Sequence, residues 1–127
     1  MTTSQLTVLN LYRLKAGAEA FTAAITALAG RVEREGEQGL LSYRFWVNET
    51  DGTARAVIDY ATPHAWIGHH DISMGWPEMK ALHSVAVLED VTFLGQLTPE
   101  IRTWLAGSSL SAKVHDGFAP AAGFRRT

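Results

Sequence analysis

Residues 6 to 13 read with a period of two. Leu6, Val8, Asn10 and Tyr12 fall on one side and Thr7, Leu9, Leu11 and Arg13 on the other, which predicts a strand with two largely apolar faces. The period then lengthens. Phe21, Ile25, Leu28 and Val32 recur at intervals of 4, 3 and 4, the stripe of an amphipathic helix that Gly17 opens and Gly36 stops. Alternation returns in Leu41 to Asn48 and Ala54 to Tyr60, two strands joined through Asn48-Glu49-Thr50-Asp51-Gly52, whose Asp-Gly is a hairpin signal. Thr62-Pro63 supplies an N-cap and a first-turn proline for another helix, and Gly75 and Pro77 divide it from a second short one. Val85 to Leu94 is an apolar, Val-rich strand. Thr98-Pro99-Glu100 repeats the cap-and-proline start before Ile101, Trp104 and Leu105.

The order β-α-β-β-α-β is that of an α+β, ferredoxin-like fold: an antiparallel four-stranded sheet with its helices on one face, here with an extra short C-terminal helix. The expected domain runs from 1 to 107. Residues 108 to 127, rich in Ala, Gly, Ser and Pro, read as a flexible tail or an arm over a partner chain. The uncovered face of the sheet keeps Leu9, Leu11 and Trp46, so a homodimer packed sheet against sheet is expected.

Composition narrows the class. At 127 residues and 46% apolar content the chain has enough material for one core, and with no cysteine it cannot use disulfides, thiolate metal sites or a cysteine nucleophile. Met1-Thr2-Thr3-Ser4-Gln5 lacks the features of a signal peptide and no apolar run is long enough to span a bilayer, which predicts a cytoplasmic protein. A net charge of -2, with both signs spread along the chain, predicts neither a nucleic-acid nor a membrane partner.

The candidate chemistry is concentrated between Tyr60 and His83, which hold four of the five histidines and two of the four tryptophans. Trp66, His69, His70 and Ser73 share one helical face, suggesting the wall of an aromatic-substrate cavity. His69 is the candidate general base or hydrogen-bond donor, and His70, about 100° round the helix, sits at the margin. Asn10 is a carboxamide on the helix side of an apolar strand; it either ties a neighbouring loop or holds a substrate oxygen. Met79, Trp76 and His83 share a face of the second short helix and, with Tyr60, complete the candidate substrate wall; the bland alternative is core packing for the aromatics and a dipole-favoured helix end for His83. Arg44, inside a strand, is a minor substrate-binding candidate, its default partner being Glu89 or Asp90 of a second copy. The histidines lack His-Glu-x-x-His spacing and a third-ligand carboxylate, so no metal is expected. No Gly-x-Ser-x-Gly, Gly-x-Gly-x-x-Gly or P-loop occurs.

Three short segments resemble the antibiotic biosynthesis monooxygenase family of dimeric α/β barrels: Leu14-Lys15-Ala16-Gly17, Gly39-Leu40-Leu41-Ser42-Tyr43-Arg44, and Ala65-Trp66-Ile67-Gly68-His69, an aromatic followed three residues later by His. The resemblance covers roughly residues 5 to 97. It implies a cofactor-independent oxygenase that brings O2 to an electron-rich aromatic such as an anthrone or hydroquinone, with His69 and Asn10 as the catalytic pair. In the family's haem-degrading branch an Asn precedes the helix-opening Gly by seven residues, as Asn10 precedes Gly17, and a late His binds iron, as His83 in Met79-Lys80-Ala81-Leu82-His83 would. That branch's helix-two Trp aligns with His69 here. Haem is therefore the alternative cofactor, and a non-oxidative cyclase-like enzyme or ligand-binding protein the third alternative.

Overall fold

The computed structural model describes residues 5–126, so the reading of Met1–Ser4 as free of a signal peptide lies outside them. Nine elements follow in order: β1 (Leu6–Leu14), α1 (Ala18–Glu35), β2 (Leu40–Asn48), β3 (Thr53–Tyr60), α2 (Pro63–Ser73), α3 (Pro77–Val85), β4 (Ala86–Leu94), α4 (Pro99–Ala106) and β5 (Lys113–Phe118). The strand order is β2-β3-β1-β4-β5. The first four strands pair antiparallel in the expected ferredoxin-like order. β5 adds itself parallel to β4, making the sheet five-stranded and mixed rather than four-stranded and antiparallel. Its residues come from the stretch expected as a flexible tail; α4 carries the chain back so that a parallel pairing on the free side of β4 becomes possible.

Local signals act where the sequence put them. Thr62 Oγ1 accepts from the Ala65 amide at 3.2 Å and Thr98 Oγ1 from Ile101 at 3.3 Å, each before a proline that has no amide to satisfy. The hairpin turn uses Gly52 at φ +69°, a conformation L side chains resist. Gly39 matters for a different reason: a Cβ there would stand 2.7 Å from that of Ala65, so its absence lets α2 lie close against the entry to β2.

The core lies between one sheet face and the helices. Leu6, Val8 and Tyr12 of β1, Ala54, Ala56, Ile58 and Tyr60 of β3, and Val91 and Phe93 of β4 meet Phe21, Ile25, Leu28 and Val32 of α1 and Trp66, Met79 and Leu82 of α2 and α3. A bulge shifts the β1–β4 register so that Leu88 opposes Tyr12 while Val91 opposes Asn10. Residues three apart on β4 thus both face inward, beside the cavity described below. A second bulge, between Leu40 and Ser42, breaks the alternation at the start of β2, so that Leu40 opposes Tyr60 and Leu41 is 57% exposed.

The far face of the sheet is apolar along its middle, with Leu9, Leu11 and Val57 half-buried and Trp46 52% exposed. Charges ring it. Arg13 pairs with Glu89 at 3.1 Å, and Arg44 lies 3.9 Å from Asp59 and over the Trp46 ring. Among the described residues no helix is long and apolar enough to cross a membrane.

Core and edge should respond differently to the same truncation. Phe93→Ala, at a fully buried ring, is expected to lower the stability measured by urea denaturation by about 3–5 kcal/mol. Phe118→Ala, on the half-exposed ring at the end of β5, should stay within about 0.5 kcal/mol.

Candidate active site

A cavity of about 270 Å³ opens between the inner sheet face and α2, α3 and α4, roofed by residues 108–111 that link α4 to β5. Asn10, Tyr60, Trp66, His69, His70, Met79 and His83 all line it. Two sequence candidates do not. Trp76 is the residue before α3, and its ring lies under the Arg31 guanidinium, 4.2 Å away, where Arg31 also meets Glu78 at 3.0 Å. Arg44 alternates with Tyr43 and so occupies the opposite sheet face, 3.9 Å from Asp59 of its own chain.

His69 is 3% exposed, edge-on to Tyr43 at 5.5 Å between ring centres and 6.2 Å from Tyr60. Its Nδ1 is buried without a hydrogen-bond partner. Burial, reinforced by neighbouring His70, lowers its pKa to about 3. The ring is therefore a neutral imidazole at physiological pH.

His70 does not stand at the margin; both histidines reach the cavity. Its Nδ1 lies 2.7 Å from the Trp66 carbonyl, and because a carbonyl only accepts, Nδ1 carries the hydrogen and Nε2 keeps the lone pair. The His70 ring lies along Trp66 at 4.0 Å and 32°, with Trp104 edge-on to both. Burial lowers its pKa to about 4 against the opposing pull of the Trp66 carbonyl and Asp71. The Trp104 indole donates to Asp71 Oδ1 at 2.9 Å, tying α4 to α2. His83 sits at the mouth, largely exposed on its outer side, and burial of its inner side lowers its pKa too.

Asn10 faces α2 across the cavity from its inward position on β1, between Val8 and Tyr12. Its Nδ2 donates to the Tyr12 hydroxyl at 3.2 Å, and its Oδ1 is buried without a partner. Burial raises the Tyr12 pKa to about 12 although the Asn10 bond lowers it, and burial likewise holds the Tyr43 and Tyr60 hydroxyls protonated. Tyr12, Tyr43, Met74, Trp104 and residues 108–111 belong to the wall but were not read as site residues from the sequence. Tyr12 had a signal, standing two positions from Asn10 on the same strand face; the 108–111 segment had none.

Among the described residues no group of three His, Asp or Glu is placed to hold a metal ion. Haem does not fit either. Its propionates would find no cationic side chain in the wall, and about 270 Å³ lies below the usual range of drug-sized ligand pockets, whereas a tetrapyrrole is larger than such ligands.

The sequence matches no family model and no curated protein. Solved structures do match. SnoaB from Streptomyces nogalater, described as a cofactor-independent oxygenase, superposes with a TM-score of 0.63 at 12% identity, over 75% of this chain and 95% of its own. A candidate antibiotic biosynthesis monooxygenase from Caulobacter crescentus CB15 gives 0.61 at 20% identity over 76% and 92%. The fold is that of the antibiotic biosynthesis monooxygenases. MupZ from Pseudomonas fluorescens, with a TM-score of 0.70 at 20% identity, matches 96% of this chain and 94% of its own, so the match takes in α4 and β5 as well.

The buried imidazoles tie stability to pH. Below the ordinary histidine value of 6.5 the unfolded chain takes up protons that folded His69 and His70 refuse, so stability falls with falling pH until the folded values near 4 and 3 are passed. Between pH 6.5 and 4.5 urea denaturation should show a loss of up to about 1.4 kcal/mol per pH unit for each imidazole. His69→Asn should flatten that slope.

Proposed function

We propose that this protein is a cofactor-independent oxygenase acting on an electron-rich, hydroxylated aromatic. One observation carries the reading: in an aromatic-walled cavity without charged side chains, the two polar residues expected to do the chemistry each keep a buried atom free of any protein partner, Asn10 Oδ1 and His69 Nδ1. Buried polar atoms are rarely left unpaired, and clusters of them mark functional sites.

The chemistry follows from what these groups can do. The neutral imidazole of His69 takes the acidic proton of an anthrone or phenol. Although burial makes it a weak base in the empty cavity, the anion formed beside it stabilises the imidazolium, because the pair has no net charge. The Tyr12 hydroxyl, which accepts from Asn10, keeps its own hydrogen for the developing oxyanion. The electron-rich anion then reduces O2 and combines with it, and the resulting carbon-bound peroxide loses water to leave a carbonyl. For an anthrone methylene the sum is CH2 plus O2 giving C=O plus H2O, with both electron pairs drawn from substrate. The aromatic wall keeps solvent from the anion.

A second reading keeps the site and drops the oxidation. MupZ matches almost the whole chain, and α4, which that match takes in, supplies Trp104 to the cavity wall. A neutral His beside a bound hydroxyl serves proton transfer in a cyclisation equally well.

We also infer that a second copy covers the far sheet face, where Leu9, Leu11, Val57 and Trp46 make an apolar surface ringed by paired charges.

Oxygen uptake over a panel of anthrones and hydroquinones, in buffer with a chelator, tests the chemistry. His69→Ala and Asn10→Ala should each lower kcat by about 10²–10³-fold. Uptake unchanged in both variants would remove the site assignment, and substrate conversion without oxygen would establish the second reading. Sedimentation should give twice 13.9 kDa for the wild type and a lighter species for Trp46→Glu; a wild-type monomer would exclude the paired sheets.

A further inference from the structure

The titratable groups facing the cavity are Tyr12 from β1, Tyr43 from β2, Tyr60 from β3, His69 and His70 from α2, and His83 from α3. β4 lends only Ala86, Val87, Leu88 and Val91, and the roof lends serines and a leucine. Among the described residues no Asp, Glu, Lys or Arg is in the wall. Asp71, next to His70 in the chain, is turned to the Trp104 indole instead.

We propose that the cavity selects ligands by charge and by hydrogen-bond polarity: it takes uncharged molecules that present a hydroxyl hydrogen to Asn10, and it turns away carboxylates and phosphates on the same ring system. This rests on the small-molecule reading above and narrows its ligand. A carboxylate entering the cavity would give up its hydration and meet no cation, at a cost that ring burial does not offset. Its nearest candidates for a counter-charge, His69 and His70, stay neutral well below pH 6. Polarity enters through Asn10. With Nδ2 committed to Tyr12, Oδ1 is an acceptor waiting for a donor. A hydroxyl satisfies it; a methyl ether of the same shape buries it unpaired, which is the costlier outcome.

Three probes of one ring system separate these effects: 2-naphthol, 2-methoxynaphthalene and 2-naphthoate, titrated by calorimetry and by the fluorescence of Trp66 and Trp104 in the wall. At pH 7 the naphthol should bind about tenfold or more tighter than the ether, and the naphthoate several hundredfold more weakly than the naphthol, or about 10³-fold at most. From pH 7 to 5 the apparent naphthoate affinity should rise by nearly tenfold per unit as its neutral acid becomes available, while the naphthol affinity stays level. Asn10→Leu should erase the difference between naphthol and ether. Equal binding of naphthoate and naphthol at pH 7, or of ether and naphthol by the wild type, would overturn the proposal while leaving an aromatic site in place. Failure of all three to bind would overturn the small-molecule reading and this inference together.

Discussion

The structure turns on two adjacent imidazoles, His69 buried and His70 half-buried. His69 and His70 are held among Tyr43, Tyr60, Trp66 and Trp104, and burial there makes the charged form of either ring costly. Everything around them is consistent with neutrality. The three tyrosines opposite are held protonated by the same burial, and the formal charges of the neighbourhood are drawn off into pairs elsewhere: Arg31 with Glu78, Asp71 with the Trp104 indole, Arg13 with Glu89 on the other side of the sheet. The site is thus polar without being charged. In such a medium a hydrogen bond or a transferred proton counts for more than it does in water.

Much of this was legible in the sequence, and for definite reasons. Thr62-Pro63 and Thr98-Pro99 are local signals whose meaning does not depend on the rest of the fold, and the stripe Phe21, Ile25, Leu28 and Val32 admits only one buried face. The clustering of histidine with tryptophan on one helix marked the cavity because nothing in helix formation asks for those residues. Asn10 stood out for the same reason.

What stayed hidden depended on tertiary choices. Lys113–Phe118 has no apolar alternation and contains Gly117 at φ +91°, so nothing local specifies a strand; the unpaired side of β4 does. Helical phase groups Trp76 with Met79 and His83, but Trp76 precedes the helix, and its ring packs under Arg31 of α1. Arg44 sits on the face that alternation with Tyr43 assigns to it, away from the cavity. The bulges at Leu41 and in β4 shift the side-chain phase in ways that period-two reading cannot register.

The roof of the cavity belongs to the segment between α4 and β5, and β5 is a six-residue strand at the rim of the sheet with most of its side chains in solvent. Such rims open locally at a small fraction of the free energy of global unfolding. The inner strands that carry Asn10, Tyr12 and Tyr60 are bonded on both sides and do not share that freedom. Rigidity and cover are therefore assigned to different parts of the chain: strands bonded on both sides hold the geometry, while the segment leading to the sheet's margin closes over it.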